Sequence, residues 1–238
     1  RKSSSGLLCL LCLLAFNVMS ADIPSNGRSE KAIANVRLEL EKQLSKKSLK
    51  LGSAIFIRIL KESDSLEVWM ESESGRFINF KNYDICTFSG SLGPKIKEGD
   101  RQSPEGFYFV KPNNLNPWSR FHLSFNLGFP NQYDRYHGRT GSALMVHGNC
   151  VSIGCYAMTD KYIEEIYTLI HFAFESGQPF VRVHAFPFHM TDDNLTQYKN
   201  HKWHAFWKNL KEGYDAFENQ GRPPNVKVDA GRYVFTTE

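Results

Sequence analysis

The densest concentration of reactive groups in the chain is His147-Gly148-Asn149-Cys150-Val151-Ser152-Ile153-Gly154-Cys155. A thiolate is a strong nucleophile, and an imidazole beside it can take the thiol proton and fix the direction of attack. The spacing therefore nominates Cys155 as nucleophile and His147 as its base. Gly148 and Gly154 permit close backbone approach, and amides beside a nucleophile can hold the negative oxygen of a tetrahedral intermediate. The backbone N–H groups of Gly154 and Cys155 are the candidate donors. Ser152 either assists them or caps the turn that follows.

Two other chemistries compete for these residues. His147, Cys150 and Cys155 offer zinc one nitrogen and two sulfurs, with Cys86 or a distant histidine as a fourth ligand. The Cys-x4-Cys interval is wider than the usual zinc knuckle and has no second compact pair, while His137, His171, His184, His189, His201 and His204 lack metal-ligand spacing. No metal or other cofactor is therefore assigned. A Cys150–Cys155 disulfide would silence the nucleophile, whereas Cys86–Cys150 would leave it free, and sequence alone does not fix the connectivity.

Four residues are candidates for substrate contact, with Gly148 allowing close approach. Arg139 could grip a carboxylate through two parallel hydrogen bonds, or fix a glycine-rich loop. His122 could orient His147, contact substrate, or serve the fold alone. Asn126 and Tyr133 are candidate groove residues. Asp100 and Glu105 lie too close to turn-forming residues to be given acid-base roles.

Ser152-Ile153-Gly154-Cys155 resembles the Ser/Thr-His-Gly-Cys nucleophile motif of the YkuD-type L,D-transpeptidase family, and Val146-His147-Gly148 resembles its upstream His-Gly element. Ile153 stands where that pattern has a second histidine, the interval from His147 to Ser152 is short, and Tyr156-Ala157-Met158 replaces the arginine that often follows the nucleophile. These departures match the YafK-like murein branch. Ser91-Leu92-Gly93-Pro94-Lys95, the run from Gly99 to Tyr108, Phe121 to Asn126, Gly138 to Ser142 and Cys155 to Asp160 carry that likeness from about Leu51 to the C-terminus.

The resemblance implies a mixed α/β, strand-rich catalytic domain with added helices at both ends, and a thioester acyl-enzyme formed on peptidoglycan stem peptides. An amidase that cleaves peptide or protein attachments at meso-diaminopimelate is the alternative, with a wall-attached protein as partner; a non-catalytic wall-binding module is the third. The net charge of +4 is interspersed rather than gathered on a face, so no nucleic-acid partner is expected.

The elements that must position this chemistry follow from periodicity. Arg1 and Lys2 precede an apolar run from Leu7 to Phe16 and a small-residue exit, the pattern of a signal peptide over residues 1–21. Export, to a periplasm if the resemblance holds, leaves Cys86, Cys150 and Cys155, an odd set. The apolar run is too short to leave a membrane span, and oligomeric state is not legible. Residues 22–50 form a helical segment with an Ile33, Val36, Leu40 and Leu44 stripe. A catalytic domain over residues 51–190 contains strands at Ala54–Leu60, Ser65–Met70, Arg76–Phe80, Asp84–Ser89, Gly106–Val110, Phe121–Leu127, Ser142–His147 and Phe180–Phe186. A helix capped by Thr159 or Asp160 runs toward Gly177. Residues 191–238 form a C-terminal aromatic extension with the stripe Trp203, Phe206, Trp207, Leu210, Tyr214 and Phe217, which packs on the catalytic domain or offers a binding platform, followed by a strand at Tyr233–Phe235.

Overall fold

A continuous buried run at Ile55–Leu60 and the alternating Leu66, Val68 and Met70 that follow it begin the first sheet. The computed structural model describes residues 22–236, and the proposed signal peptide lies outside them. Strands β1 (Ile55–Leu60), β2 (Ser65–Glu71) and β3 (Phe77–Asp84) are joined by turns in which Asp64 and Gly75 take positive φ. After the short β4 (Thr87–Phe88), strand β5 (Gly106–Val110) returns to the same sheet. Its order is completed by β10 (Val181–Phe186) as β3-β2-β1-β10-β5, with β1 and β10 parallel and the other pairs antiparallel.

The second sheet holds His147 and begins one strand directly after Cys155. Its members β6 (Leu115–Asn116), β7 (Ser124–Asn126), β8 (Met145–His147) and β9 (Tyr156–Ala157) stand in the order β4-β9-β8-β7-β6. Two expected strands are shorter than their apolar patterns. His122 at φ +66° breaks the run that starts at Phe121, and Gly141 and Ala143 at positive φ delay β8 until Met145. Of the expected Asp84–Ser89 strand, Asp84 closes β3 and Thr87–Phe88 form β4, after which Ser89 turns into a loop through Gly90 at φ +87°.

Three helices enclose the sheets. Helix α1 (Gly27–Ser45) is capped by the Asn26 side chain and buries Ala32, Leu40 and Leu44, while Ile33 and Val36 lie at the margin. The short α2 (Gln132–Tyr136) leads into the Arg139 loop. Helix α3 (Asp160–Glu175) starts where Thr159 Oγ1 accepts the Tyr162 amide, and packs on α1.

The C-terminal segment contains α4 (Asp192–Gln197), α5 (His204–Gln220) and a hairpin of β11 (Asn225–Asp229) and β12 (Arg232–Thr236). The aromatic stripe of α5 faces inward. Phe206, Trp207, Leu210 and Tyr214 form one buried cluster with Leu60, Phe107, Phe186 and Phe188 of the first sheet and its exit. Those side chains are core rather than a platform; Trp203 alone of the stripe stays half-buried. Among the described residues, no helix is long and apolar enough to cross a membrane.

A buried ion pair ties the loops to this core. Lys61 and Glu105 side chains are both fully buried and 3.1 Å apart. Glu105 also accepts the Gly93 amide at 2.7 Å and the Trp207 indole N–H at 2.8 Å. Lys61 donates further to the carbonyls of Gly93 and Ser91. Desolvation of such charges is expensive, so the extra donors and acceptors are what make the pair tolerable.

Candidate active site

His147 ends strand β8, and Cys155 immediately precedes its neighbour β9. The two strands run parallel, with Val146 opposite Tyr156 and His147 opposite Ala157. Extending that register by one residue sets Cys155 beside Met145, on the sheet face that carries His147, because alternate residues share a face. Among the described residues, no hydrogen bond joins the two side chains. The Cys155 thiol instead points to the Ala143 carbonyl at 3.7 Å.

The ring of His147 is buried against Phe121, stacked at 4.7 Å between centroids. Its Nδ1 lies 2.6 Å from the Gly148 carbonyl. A carbonyl only accepts, so Nδ1 carries the hydrogen and the neutral ring presents a lone pair at Nε2. Burial holds the His147 pKa below its ordinary value, against the raising effect of the Gly148 bond. Burial also pushes the Cys155 thiol up, opposed by the Met145 backbone and the Lys95 charge. The resting pair is therefore a neutral base and a protonated thiol.

Gly148 is a steric requirement of this corner. A Cβ there would lie 2.5 Å from Asp160 Oδ1 and 3.0 Å from the Phe121 carbonyl. Its amide donates to the carbonyls of Phe121 and Leu123, and Asn149 N–H donates to Asp160 Oδ1 at 2.8 Å. The glycine thus locks the end of β8 onto the start of α3, directly after the base.

Three serines hold the Cys155 turn. Ser152 Oγ and Ser103 Oγ both donate to the Cys155 carbonyl, at 2.7 and 2.8 Å. Since each hydroxyl has one proton, Ser89 is left to donate to Ser152 Oγ across 2.7 Å. The amides then complete the lattice: Gly154 N–H donates to Ser89 Oγ at 2.6 Å and Cys155 N–H to Ser152 Oγ at 3.1 Å. Both amides expected to receive an oxyanion are thus engaged in this arrangement, and Ser152 braces the turn.

Cys86 is bonded to Cys150 and Cys155 is free. That bond takes two of the sulfurs on which the zinc reading drew. Cys150 sits beside Asn149, and both adopt positive φ, so the disulfide anchors the bend between His147 and the nucleophile turn.

The substrate candidates fare differently. Arg139 is buried, donates to Asp134 Oδ1 at 2.9 Å, and lies over the rings of Tyr133 and Phe206. It fixes the loop after α2 and cannot reach a substrate carboxylate without leaving the core. Tyr133 is likewise buried, stacked on Tyr233 at 4.3 Å. Asn126 Oδ1 accepts the Gly128 amide and shapes the turn leaving β7. His122 Nε2 lies 2.8 Å from Glu164 Oε1 on α3; its neighbour Phe121, rather than His122, touches His147.

Cys155 opens on a cavity of about 340 Å³ whose wall includes Lys95, Glu98, Arg101, Ala143 and Ile153. Sequence reasoning assigned no site role to Ser89, Ser103, Phe121, Glu98 or Arg101. The available signal was the Asp100-Arg101-Gln102-Ser103-Pro104-Glu105-Gly106 run, where a turn-forming carboxylate and a rigid proline flank polar side chains.

The chain has clear relatives by sequence. A model of the YkuD L,D-transpeptidase catalytic domain matches residues 79–181. The Escherichia coli (strain K12) protein named "Putative L,D-transpeptidase YafK" is 47% identical over 186 residues, spanning 78% of this chain and 75% of that protein. Among solved structures, the helical cell shape determining protein Pgp2 (K307A mutant) of Campylobacter jejuni aligns at TM-score 0.47 and 20% identity, over 82% of this chain and 66% of that one. Bd1075 of Bdellovibrio bacteriovorus aligns at TM-score 0.41 and 22% identity, over 71% and 59%.

Proposed function

The chain belongs to the YkuD L,D-transpeptidase catalytic-domain family, and from that premise we propose that it is a cysteine acyltransferase acting on peptidoglycan stem peptides. The observation that carries this reading is a free thiol lining a cavity and directly preceding β9, the strand paired with the one that ends in His147, whose neutral ring keeps a lone pair at Nε2.

The chemistry proceeds in two halves. The thiol turns from the Ala143 carbonyl toward His147, and Nε2 takes its proton as sulfur attacks a stem-peptide carbonyl. Catalytic hydrogen bonds of this kind are often long until substrate binds. The tetrahedral intermediate collapses as the C–N bond breaks, and the imidazolium returns its proton to the departing amine. A thioester remains on Cys155. An incoming amine then attacks it for transfer, or water attacks for hydrolysis, with His147 again accepting the proton; the C–S bond breaks and the imidazolium returns that proton to the Cys155 sulfur. Hydrolysis at a protein or peptide attached to meso-diaminopimelate is the same first half with a different second nucleophile.

Export to the periplasm is part of the proposal. The Cys86–Cys150 bond supports it, since such bonds persist in oxidising compartments.

Defined cross-linked muropeptides incubated with the protein and with Cys155→Ala test the reading. A Cys155-dependent mass adduct and released products are expected; incorporation of added amine marks transfer, and its absence marks hydrolysis. Turnover that survives Cys155→Ala would refute the nucleophile, and wall binding with neither adduct nor product would leave a non-catalytic module.

A further inference from the structure

The charges lining the Cys155 cavity differ in what already satisfies them. Lys95 is buried and committed to the fold, with its ammonium 2.6 Å from Asp100 and 3.0 Å from the Lys97 carbonyl. Arg101 and Glu98 are exposed. Among the described residues, neither side chain makes a hydrogen bond or ion pair. An arginine and a glutamate of opposite sign therefore border the nucleophile's cavity without partners from the protein.

The loop that presents them is stiff. Asp100 Oδ2 accepts the amides of Ile96 and Lys97 at 2.8 and 3.0 Å, and Oδ1 accepts that of Gln102 at 3.2 Å. Gln102 is bonded in turn to Ser91 through that residue's amide at 3.1 Å, and Ser103 holds the Cys155 carbonyl at 2.8 Å. Arg101 lies between these anchors at φ +51°, a left-handed conformation that non-glycine residues seldom adopt. Its backbone is thus fixed relative to the sulfur while its guanidinium stays unengaged, an arrangement suited to a ligand.

A guanidinium and a carboxylate on one cavity wall complement a group bearing a free carboxylate and a free ammonium on one carbon. We propose that Arg101 and Glu98 form a zwitterion-reading subsite, with Arg101 holding the carboxylate and Glu98 the ammonium of an amino-acid head group on the acyl donor. This rests on the reading of Cys155 as the acylated nucleophile, and names which part of the donor is recognised. It also supplies the carboxylate receptor that Arg139, sealed against Asp134, does not provide. A cavity of about 340 Å³ lies within the range of small-ligand sites.

Calorimetric titration of full-length Cys155→Ala protein reads the subsite without turnover. The probes are a stem peptide whose side chain ends in a carbon with free amine and free carboxylate, the same peptide with that carboxylate amidated, and the same peptide with that amine acetylated. Amidation is expected to weaken binding at least about tenfold; Arg101→Gln gives a similar loss, and the two together add no more than about twofold beyond either. Glu98→Gln and acetylation couple in the same way. An Arg101→Gln protein that still prefers the free carboxylate by the original factor overturns the proposal, as does failure of the zwitterionic probe to bind at millimolar concentration. The Cys155-containing chain, given the same peptide, reports the nucleophile separately through its adduct mass. Discrimination without an adduct would sink the nucleophile and keep the subsite.

Discussion

At the residue scale, the hydrogen bond from His147 Nδ1 to the Gly148 carbonyl decides which nitrogen can act as base. Burial then sets the working range. The His147 pKa is depressed, so the ring remains a base below the ordinary imidazole value, and the acid limb of acyl transfer should fall below about pH 6.5. The Cys155 pKa is raised, so few thiolates exist at neutral pH in the resting protein. Direct alkylation by a neutral reagent needs that thiolate and should keep climbing above about pH 8.5, while acyl transfer is already fast at neutral pH. Parallel pH profiles of iodoacetamide labelling and thioester formation check this; labelling already maximal at pH 7 would mean a preformed ion pair. The two candidate residues stood out in the sequence because their types and spacing are rare together. Arg139 and Tyr133 misled because a free-looking arginine or tyrosine in a glycine-rich stretch has the same sequence signature as one that is buried. Only the fold shows Asp134 and Phe206 closing over Arg139.

At the element scale, the candidate site is made by loops held against strand ends, and two nearby loops are braced by ion pairs, Lys95 with Asp100 and Arg139 with Asp134. The α2 loop shows this most simply. Arg139→Ala would leave the buried Asp134 carboxylate without its cation, an expected loss of about 3 to 5 kcal/mol in unfolding free energy. Affinity for stem peptide in the protein that remains folded should be unchanged. Denaturant titration and calorimetry together separate the outcomes; a binding defect with normal stability would return Arg139 to the substrate. Helices α1, α3 and α5 were legible from their apolar stripes, since a period of three to four residues survives in any context. Strand lengths were less so. Alternation across Phe121–Leu127 says nothing of His122 turning left-handed, and the β11–β12 hairpin turns on Ala230-Gly231, both at positive φ, without the asparagine or aspartate that usually announces such a turn.

Across the whole molecule, one buried histidine couples stability to acidity. His184 sits in a cage of Phe56, Phe107 and Phe186, neither ring nitrogen has a partner among the described residues, and burial drives its pKa well below the ordinary value. The unfolded chain takes up a proton below about pH 6.5 that the folded protein refuses, so stability falls with pH there by up to about 1.4 kcal/mol per unit for this residue. His184→Leu should flatten the decline between pH 6.5 and 5 in chemical denaturation, and an unchanged slope would show that other groups set it.

The bond from the Trp207 indole to Glu105 spans 102 positions of sequence. A chain is made from its N-terminus, so Lys61 and Glu105 emerge long before the indole that caps the carboxylate. Until α5 has emerged, one oxygen of Glu105 lacks its donor and the aromatic faces of Phe107 and Phe186 lack their cover. The loops that flank the sulfur hang from that carboxylate through Gly93. Vectorial synthesis thus postpones the closing of this carboxylate until α5 has been made, 102 positions after the carboxylate itself.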